Sequence, residues 1–222
     1  MSLLADLIDL LLPERCAGCG GEPILLCDAC AVPLQGPARP ARTAPDGLPP
    51  PWTVTAYDGP LRTILSAYKE RGRTALAVPL GEALATAIQA ALTRLDPPQT
   101  VVWVPSRRGT VRRRGHDPLR EIVAAALHRL RADGIPITGL DALRHRRRVG
   151  DQAGLTAAQR LTNLDGALET TTPDIAGRQV ILVDDVITTG ASLAEAARAL
   201  RAAGATPTAA ATIATTPRRH PR

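Results

Sequence analysis

The sequence predicts an α/β protein, a parallel, doubly wound sheet with helices on both faces, preceded by a small cysteine-rich unit. Three observations carry this expectation. Strand-like and helix-like segments alternate from residue 52 towards the C-terminus, the order that builds parallel sheets. Two of the strand candidates, TVVWVP at 100–105 and QVILVDD at 179–185, are almost continuous apolar runs, as strands covered on both faces must be. All four cysteines lie within the single stretch CAGCGGEPILLCDAC.

Taken in order, MSLLADLIDLLLPERC opens the chain with Leu3, Leu4, Leu7, Ile8, Leu11 and Leu12 at the spacing of one apolar helix face. It lacks a basic lead, and Asp6 and Asp9 interrupt it, so it is a poor export signal. No apolar stretch reaches the ~18–20 residues of a membrane span. The expectation is a cytoplasmic protein with no membrane span. The helix and the cysteine unit together make residues 1–36. PLQGPARPARTAPDGLPPP reads as a Pro- and Arg-rich linker, placed at 37–51.

The main domain, 52–216, begins with the strand WTVTAY at 52–57 and the helix LRTILSAYKE. A longer helix, AVPLGEALATAIQAALTRL, leads to the buried strand at 100–105. PLREIVAAALHRLRADG is a helix closed by Gly134, and QVILVDD is the second buried strand. The helix SLAEAARALRAAG, starting near Ser192 and closed by Gly204, precedes a last strand, PTAAATIA. Residues 217–222 form a basic tail.

Hydrophobic residues make up 45% of the chain, enough for a packed core, yet Phe is absent and aromatics are 2%. That argues against ring-stacking platforms for nucleic acid. The net charge is +6, almost all from Arg, since Lys69 is the only lysine. Two explanations stand: an Arg- and Ala-rich coding bias, and affinity for phosphates or nucleic acid. The four histidines, His116, His128, His145 and His220, show no metal-site spacing.

Cys16, Cys19, Cys27 and Cys30 have the spacing C-x2-C-x7-C-x2-C. Each CxxC pair can turn two thiolates towards one point, and four thiolates at about 2.3 Å close a tetrahedral zinc site. Iron in the same cage is the alternative. Disulfides are disfavoured in a chain without an export signal. A closed four-thiolate site is structural, not catalytic.

VILVDDVITTGAS, Val180 to Ser192, sets two carboxylates at a strand end and hydroxyls around a glycine ahead of a helix. In parallel sheets ligands bind at carboxyl ends of strands, beside helix N-termini. Thr188, Thr189, Gly190, Ala191 and Ser192 offer hydroxyls, backbone N–H groups and the helix dipole to a phosphate. Asp184 and Asp185 would repel that phosphate, so they must face sugar hydroxyls or a metal ion. A ribose 5-phosphate satisfies both halves.

This stretch resembles the phosphoribosyl pyrophosphate (PRPP) motif of type I phosphoribosyltransferases. The resemblance implies that Asp184 and Asp185 bind the ribose 2′- and 3′-hydroxyls, directly or through Mg2+, and that Thr188 to Ser192 bind the 5-phosphate. Purine-salvage members commonly carry an Asp where this chain has Thr188, so the loop is more similar to that of orotate phosphoribosyltransferase. In this fold the loop after the strand at 100–104 approaches the pyrophosphate, which makes Ser106, Arg107 and Arg108 candidates, with Arg112 to Arg114 adding charge. Lys69 joins them as a compact cation.

The zinc unit, the PRPP loop, RRRGHDPL and QAGLTAAQRLTN together resemble the ComF family of competence-associated proteins, known as GntX in some bacteria. In RRRGHDPL, His116, Asp117 and Pro118 replace the family's Phe, Asn and Gln. The second basic segment carries Arg144, Arg146, Arg147, Arg148, Gln152, Arg160 and Asn163. The resemblance implies a zinc finger on a type I phosphoribosyltransferase fold, Mg2+ with PRPP, and a link to DNA uptake or to nucleotide metabolism. It leaves two functions open. One is a transferase with an unidentified acceptor; the other is a nucleotide- or single-stranded-DNA-binding module working with a DNA-uptake helicase.

Overall fold

The computed structural model describes residues 15–41, 44–49, 51–93, 99–106, 117–146 and 163–217. The N-terminal apolar segment, Arg107, Arg108, Arg112 to Arg114, His116, Arg147, Arg148, Gln152, Arg160 and the tail from 218 lie outside the described residues.

The described elements are α1 (Asp28–Ala31), β1 (Arg39–Pro40), β2 (Pro51–Ala56), α2 (Gly59–Glu70), α3 (Ala77–Leu92) and β3 (Gln99–Trp103). After them come α4 (Pro118–Ala132), β4 (Ile137–Leu140), β5 (Leu143–His145), β6 (Leu168–Thr170), β7 (Gln179–Ile187), α5 (Ala191–Ala202) and β8 (Thr206–Thr215). The main sheet runs β1-β2-β8-β7-β3-β4. Its pairs from β2 to β4 are all parallel, and only the short β1 runs antiparallel. An antiparallel β5–β6 ribbon forms a separate small sheet.

The expected doubly wound layering is present, and the period-two geometry of strands explains it. Val101, Trp103, Ile181, Val183, Ala209, Ala211 and Ile213 face one core shared with α2, α3 and α4. The intervening Val102, Val180, Leu182 and Ala210 face a second core shared with α5 and the β5–β6 ribbon. Covering both faces is why these strands read as unbroken apolar runs. With so few rings, small residues let the layers approach closely. A Cβ on Gly81 of α3 would stand 2.5 Å from Ala125 Cβ of α4, and one on Gly139 of β4 would collide with Leu127 Cδ1.

The stretch Thr74–Leu92 is as long and apolar as a membrane span, but half of it is buried inside the protein. It is a core helix, with Leu80, Leu84 and Ile88 fully enclosed.

The cysteine unit belongs to the same core: Cys16, Ala17, Cys27, Cys30 and Leu34 pack with α2 and α3. The Pro-rich stretch after it is also docked. Arg39–Pro40 pairs with Thr53–Trp52 of β2, Leu48 is buried against the α5 core, and Arg201 of α5 donates to the Gly47 carbonyl at 2.6 Å. Pro at several positions shortens the entropy such a connection must lose on docking.

Candidate active site at the carboxyl ends of β3 and β7

From β3 the chain crosses through α4 to β4 on one side, and from β7 through α5 to β8 on the other. The winding therefore reverses between β3 and β7, and a crevice opens beyond their carboxyl ends, where ligands bind in doubly wound sheets.

β7 is longer than its apolar run suggests. It continues through both aspartates to Ile187, with Asp184 opposite Thr212 and Val186 opposite Ala214 of β8. Neighbouring strand residues point to opposite faces, and this separates the two carboxylates. Asp184 lines a small cradle with Thr188, Thr189, Gly190, Ala191 and Ser192. Asp185, 8% exposed, turns towards α2 and forms an ion pair with Lys69. Burial pushes the Asp184 carboxyl up to about 7, with the Lys69 ammonium opposing the rise. A carboxyl near neutrality tolerates a phosphate beside it, which a fully ionised one would repel.

The cradle sits where α5 begins. Gly190 is the N-cap, with φ 76°, a left-handed conformation that costs glycine little. The Thr189 hydroxyl accepts weakly from the Ala191 N–H at 3.4 Å. The first N–H groups of a helix have no intrahelical partner, so they and the dipole face whatever occupies the cradle. Gly190 is needed twice, because a Cβ there would stand 2.6 Å from Pro45 Cδ of the docked Pro-rich stretch.

On the β3 side, Ser106 Oγ donates to Asp117 Oδ1 at 2.7 Å, and that same oxygen caps α4 by accepting from Arg120 N at 3.4 Å. Ser106 just beyond β3 and Asp117 at the start of α4 are thus joined. Asp117 and Pro118, which replace Asn and Gln of the resembled pattern, form a capped helix start with Pro at its first position. His145 Nε2, at the end of β5, donates to the Pro105 carbonyl at 3.1 Å. That bond ties the small ribbon to the crevice.

Lys69 rides on the last turn of α2, which is held from both sides. Its neighbour Tyr68 is fully buried, with Oη 2.8 Å from the Pro118 carbonyl and 3.0 Å from Glu121 Oε2. Arg73, just beyond the helix, donates to the Arg15 carbonyl at 2.6 Å. Sequence reasoning missed Tyr68, His145 and Asp117 as parts of the site; the Asp-Pro cap before PLREI was the one visible signal. It also missed Glu195. That residue is buried in α5 and accepts from the Leu168 N–H at 2.9 Å, while Arg198 reaches the Leu168 carbonyl at 3.1 Å. The pair clamps β6 to α5.

The four cysteines carry no disulfide, and their Sγ atoms all lie within 4.8 Å of one another. Gly18 lets the knuckle close, since a Cβ there would stand 2.6 Å from Cys30 Sγ. Burial works against the Cys16 thiolate, but N–H bonds from Cys27, Cys19 and Gly18 outweigh it and draw the thiol down to about 6. Burial first, then the neighbouring sulfurs, push Cys30 up to about 12. Four thiols so close cannot all ionise without a cation among them. The set fits a structural metal.

The acidic pair does not fit a divalent cation shared between its carboxylates. They leave β7 on opposite faces, and Asp185 is already ion-paired with Lys69.

A parallel sheet with an acid-and-hydroxyl cradle at its reversal point defines a domain of the phosphoribosyltransferase type. The phosphoribosyl transferase domain family matches residues 111–222. The chain is 31% identical over 200 residues to the DNA utilization protein YhgH of Salmonella typhimurium, covering 86% of this chain and 84% of the relative. The namesake in Escherichia coli K12 is 31% identical over 189 residues, covering 81% and 79%. A shorter match joins it to orotate phosphoribosyltransferase of Nocardioides, 67% identical over 33 residues, 15% of this chain and 18% of that one. The chain belongs to the ComF family, in which a four-cysteine finger precedes a phosphoribosyltransferase domain.

Proposed function

We propose that the crevice binds the ribose 5-phosphate part of PRPP, with Mg2+ arriving on the pyrophosphate as part of the ligand. The observation that carries this reading is the cradle itself: Asp184 and the hydroxyls of Thr188, Thr189 and Ser192 around one helix N-terminus. The hydroxyl loop takes the 5-phosphate and Asp184 orients the ribose hydroxyls; Asp185, expected to share that role, is turned towards α2 and engaged by Lys69. Ser106, with Arg107 and Arg108 that follow it in sequence, takes the pyrophosphate. Zinc in the cysteine cluster holds the finger, and the cytoplasm is the proposed location.

Phosphoribosyl transfer would then break the C1–O bond, pyrophosphate leaving with its electron pair as the acceptor bonds to C1 and positive charge develops on the ribose ring. The chain's contribution is positioning and charge stabilisation. Calorimetric titration with PRPP and Mg2+ tests the site. Wild type should bind, and Asp184→Asn with Asp185→Asn should bind at least about a hundredfold more weakly. Equal affinity would remove these residues from the site.

A second reading rests on a different observation. Arg15, Arg71 and Arg73 line an open cleft beside the knuckle residues Cys16 to Gly20, and the relatives are named for DNA utilization. We infer single-stranded DNA as the occupant, held through its phosphates. Arg144 and Arg146, the described members of the second basic segment, contribute less than their number suggests, because Glu169 faces both across β5–β6. Affinity for an oligonucleotide should fall steeply with salt, and Arg71→Ala with Arg15→Ala should flatten that slope by about two phosphate contacts. An unchanged slope would move DNA off this cleft.

A further inference from the structure

We propose that Lys69 is the built-in cation of the ribose-phosphate site, standing with its ammonium at Asp185 where a buried, unpaired carboxylate would otherwise draw a divalent metal. The inference rests on the reading of the cradle as a ribose 5-phosphate site. Its consequence is specific: the sugar phosphate binds without a divalent cation, and a metal becomes necessary only when Lys69 is removed.

Three observations support it. The first is the separation of the carboxylates, with Asp184 in the cradle and Asp185 buried against α2. A small divalent cation needs near-octahedral oxygen ligands, usually with one or two carboxylates aimed at it, and one of these two is already engaged. The second is the ion pair itself, which crosses from α2 to β7 with Lys69 only 29% exposed and Asp185 12% exposed in their side chains. A buried carboxylate is tolerated when an opposite charge accompanies it, so Lys69 balances the negative charge that Asp185 adds next to the cradle residue Asp184.

The third is how firmly Lys69 is placed. It sits on a regular helical turn between buried Tyr68 and the finger contact of Arg73 to the Arg15 carbonyl. The chain uses Arg at every other long cationic position. An ammonium is a compact point charge on a flexible stem, whereas a guanidinium is a planar fork of fixed geometry, so the two are not interchangeable partners for one carboxylate.

The test is titration of the full chain with ribose 5-phosphate, which lacks the metal-carrying pyrophosphate. Buffers are freed of divalent ions by resin, not chelator, so that the finger keeps its metal, and are then compared with millimolar Mg2+. Wild type should bind equally, within about twofold, in both. Lys69→Ala should bind at least about tenfold more weakly without Mg2+ and recover most of that loss with it. Lys69→Arg should fail to restore metal-independent binding. Direct titration of Mg2+ alone should give heat with Lys69→Ala and none with wild type, which separates a vacated cation position from a merely weakened fold. Wild-type binding that depends on Mg2+, or a Lys69→Ala protein indifferent to it, would overturn the proposal while leaving the site in place. No binding of ribose 5-phosphate by wild type in either buffer would overturn the site reading and the proposal with it.

Discussion

Tyr68 Oη lies 2.8 Å from the carbonyl of Pro118, joining the end of α2 to the first turn of α4 across the base of the crevice. Burial, then the charge of Glu121, hold the phenol far above its usual range, so it stays a neutral donor. Its single proton serves either that carbonyl or Glu121 Oε2 at 3.0 Å. Both lie at the helix start capped by Asp117, which also receives Ser106. Tyr68→Phe keeps the ring packing and removes only these bonds. It should cost about 1–2 kcal/mol in denaturant unfolding and weaken PRPP binding, because the turn carrying Lys69 is loosened. A variant as stable as wild type would mean that the hydroxyl does not hold the two helices together.

Asp184 gives a pH signature. Its folded value of about 7 lies above the ordinary 3.8, because burial favours the neutral acid. The folded state therefore binds a proton that the unfolded chain has released, and stability falls as pH rises from the ordinary value to about 7. Asp184→Asn removes that penalty. Its gain over wild type should be larger at about pH 8 than at about pH 5, by roughly 1–3 kcal/mol once solvent screening is allowed for. An equal gain at both pH values would show that the carboxyl is not desolvated. Stabilisation on removing a ligand-facing acid is the usual trade at a functional site.

Much of this was legible because local signals and tertiary demands agreed. β3 and β7 read as buried strands since both faces of the sheet are covered, and Gly190 marked the turn into α5. β4, β5 and β6 did not. ITGL, LRH and LET are too short for a period to show, and they become strands only through the partners that β3 and α5 supply. Individual candidates were also visible where their relationships were not. Asp184, Asp185 and Lys69 each stood out in the sequence, but the separation of the first two by the strand pleat, and the pairing of the second with the third, depend on where α2 lies against β7. The Pro-rich stretch shows the same limit. Its composition signals a connection, yet Leu48 and Pro45 are held by contacts with α5 and Gly190.

The finger should hold one metal ion per chain, and losing it should be felt well beyond the finger. Cys16, Cys27 and Cys30 pack in one core with α2 and α3, so emptying the site loosens that core and replaces four metal bonds with weak contacts such as the 3.5 Å hydrogen bond from Cys16 Sγ to Cys27 Sγ. Cys27→Ser should abolish stoichiometric metal and lower the unfolding midpoint by on the order of 5–10 °C. The check is elemental analysis beside thermal unfolding. Full metal content in this variant would show that three thiolates suffice, and an unchanged midpoint would show that the finger folds independently of the sheet.

Gly190→Ala tests whether the Pro-rich stretch shapes the cradle. Two costs arise from one methyl group. The left-handed φ of 76° disfavours any side chain, and the new Cβ would stand 2.6 Å from Pro45 Cδ. The first should cost about 1 kcal/mol whatever lies nearby. The second forces either Pro45 or the hydroxyl loop to move. Pairing the substitution with Pro45→Ala separates them, because the smaller side chain relieves the contact but not the backbone strain. The single variant should bind PRPP at least about tenfold more weakly, and the double variant should recover much of the affinity while regaining little stability. Recovery would show that the connection from the finger sets the position of the phosphate loop. Equal loss in both variants would assign the whole effect to the backbone conformation of Gly190.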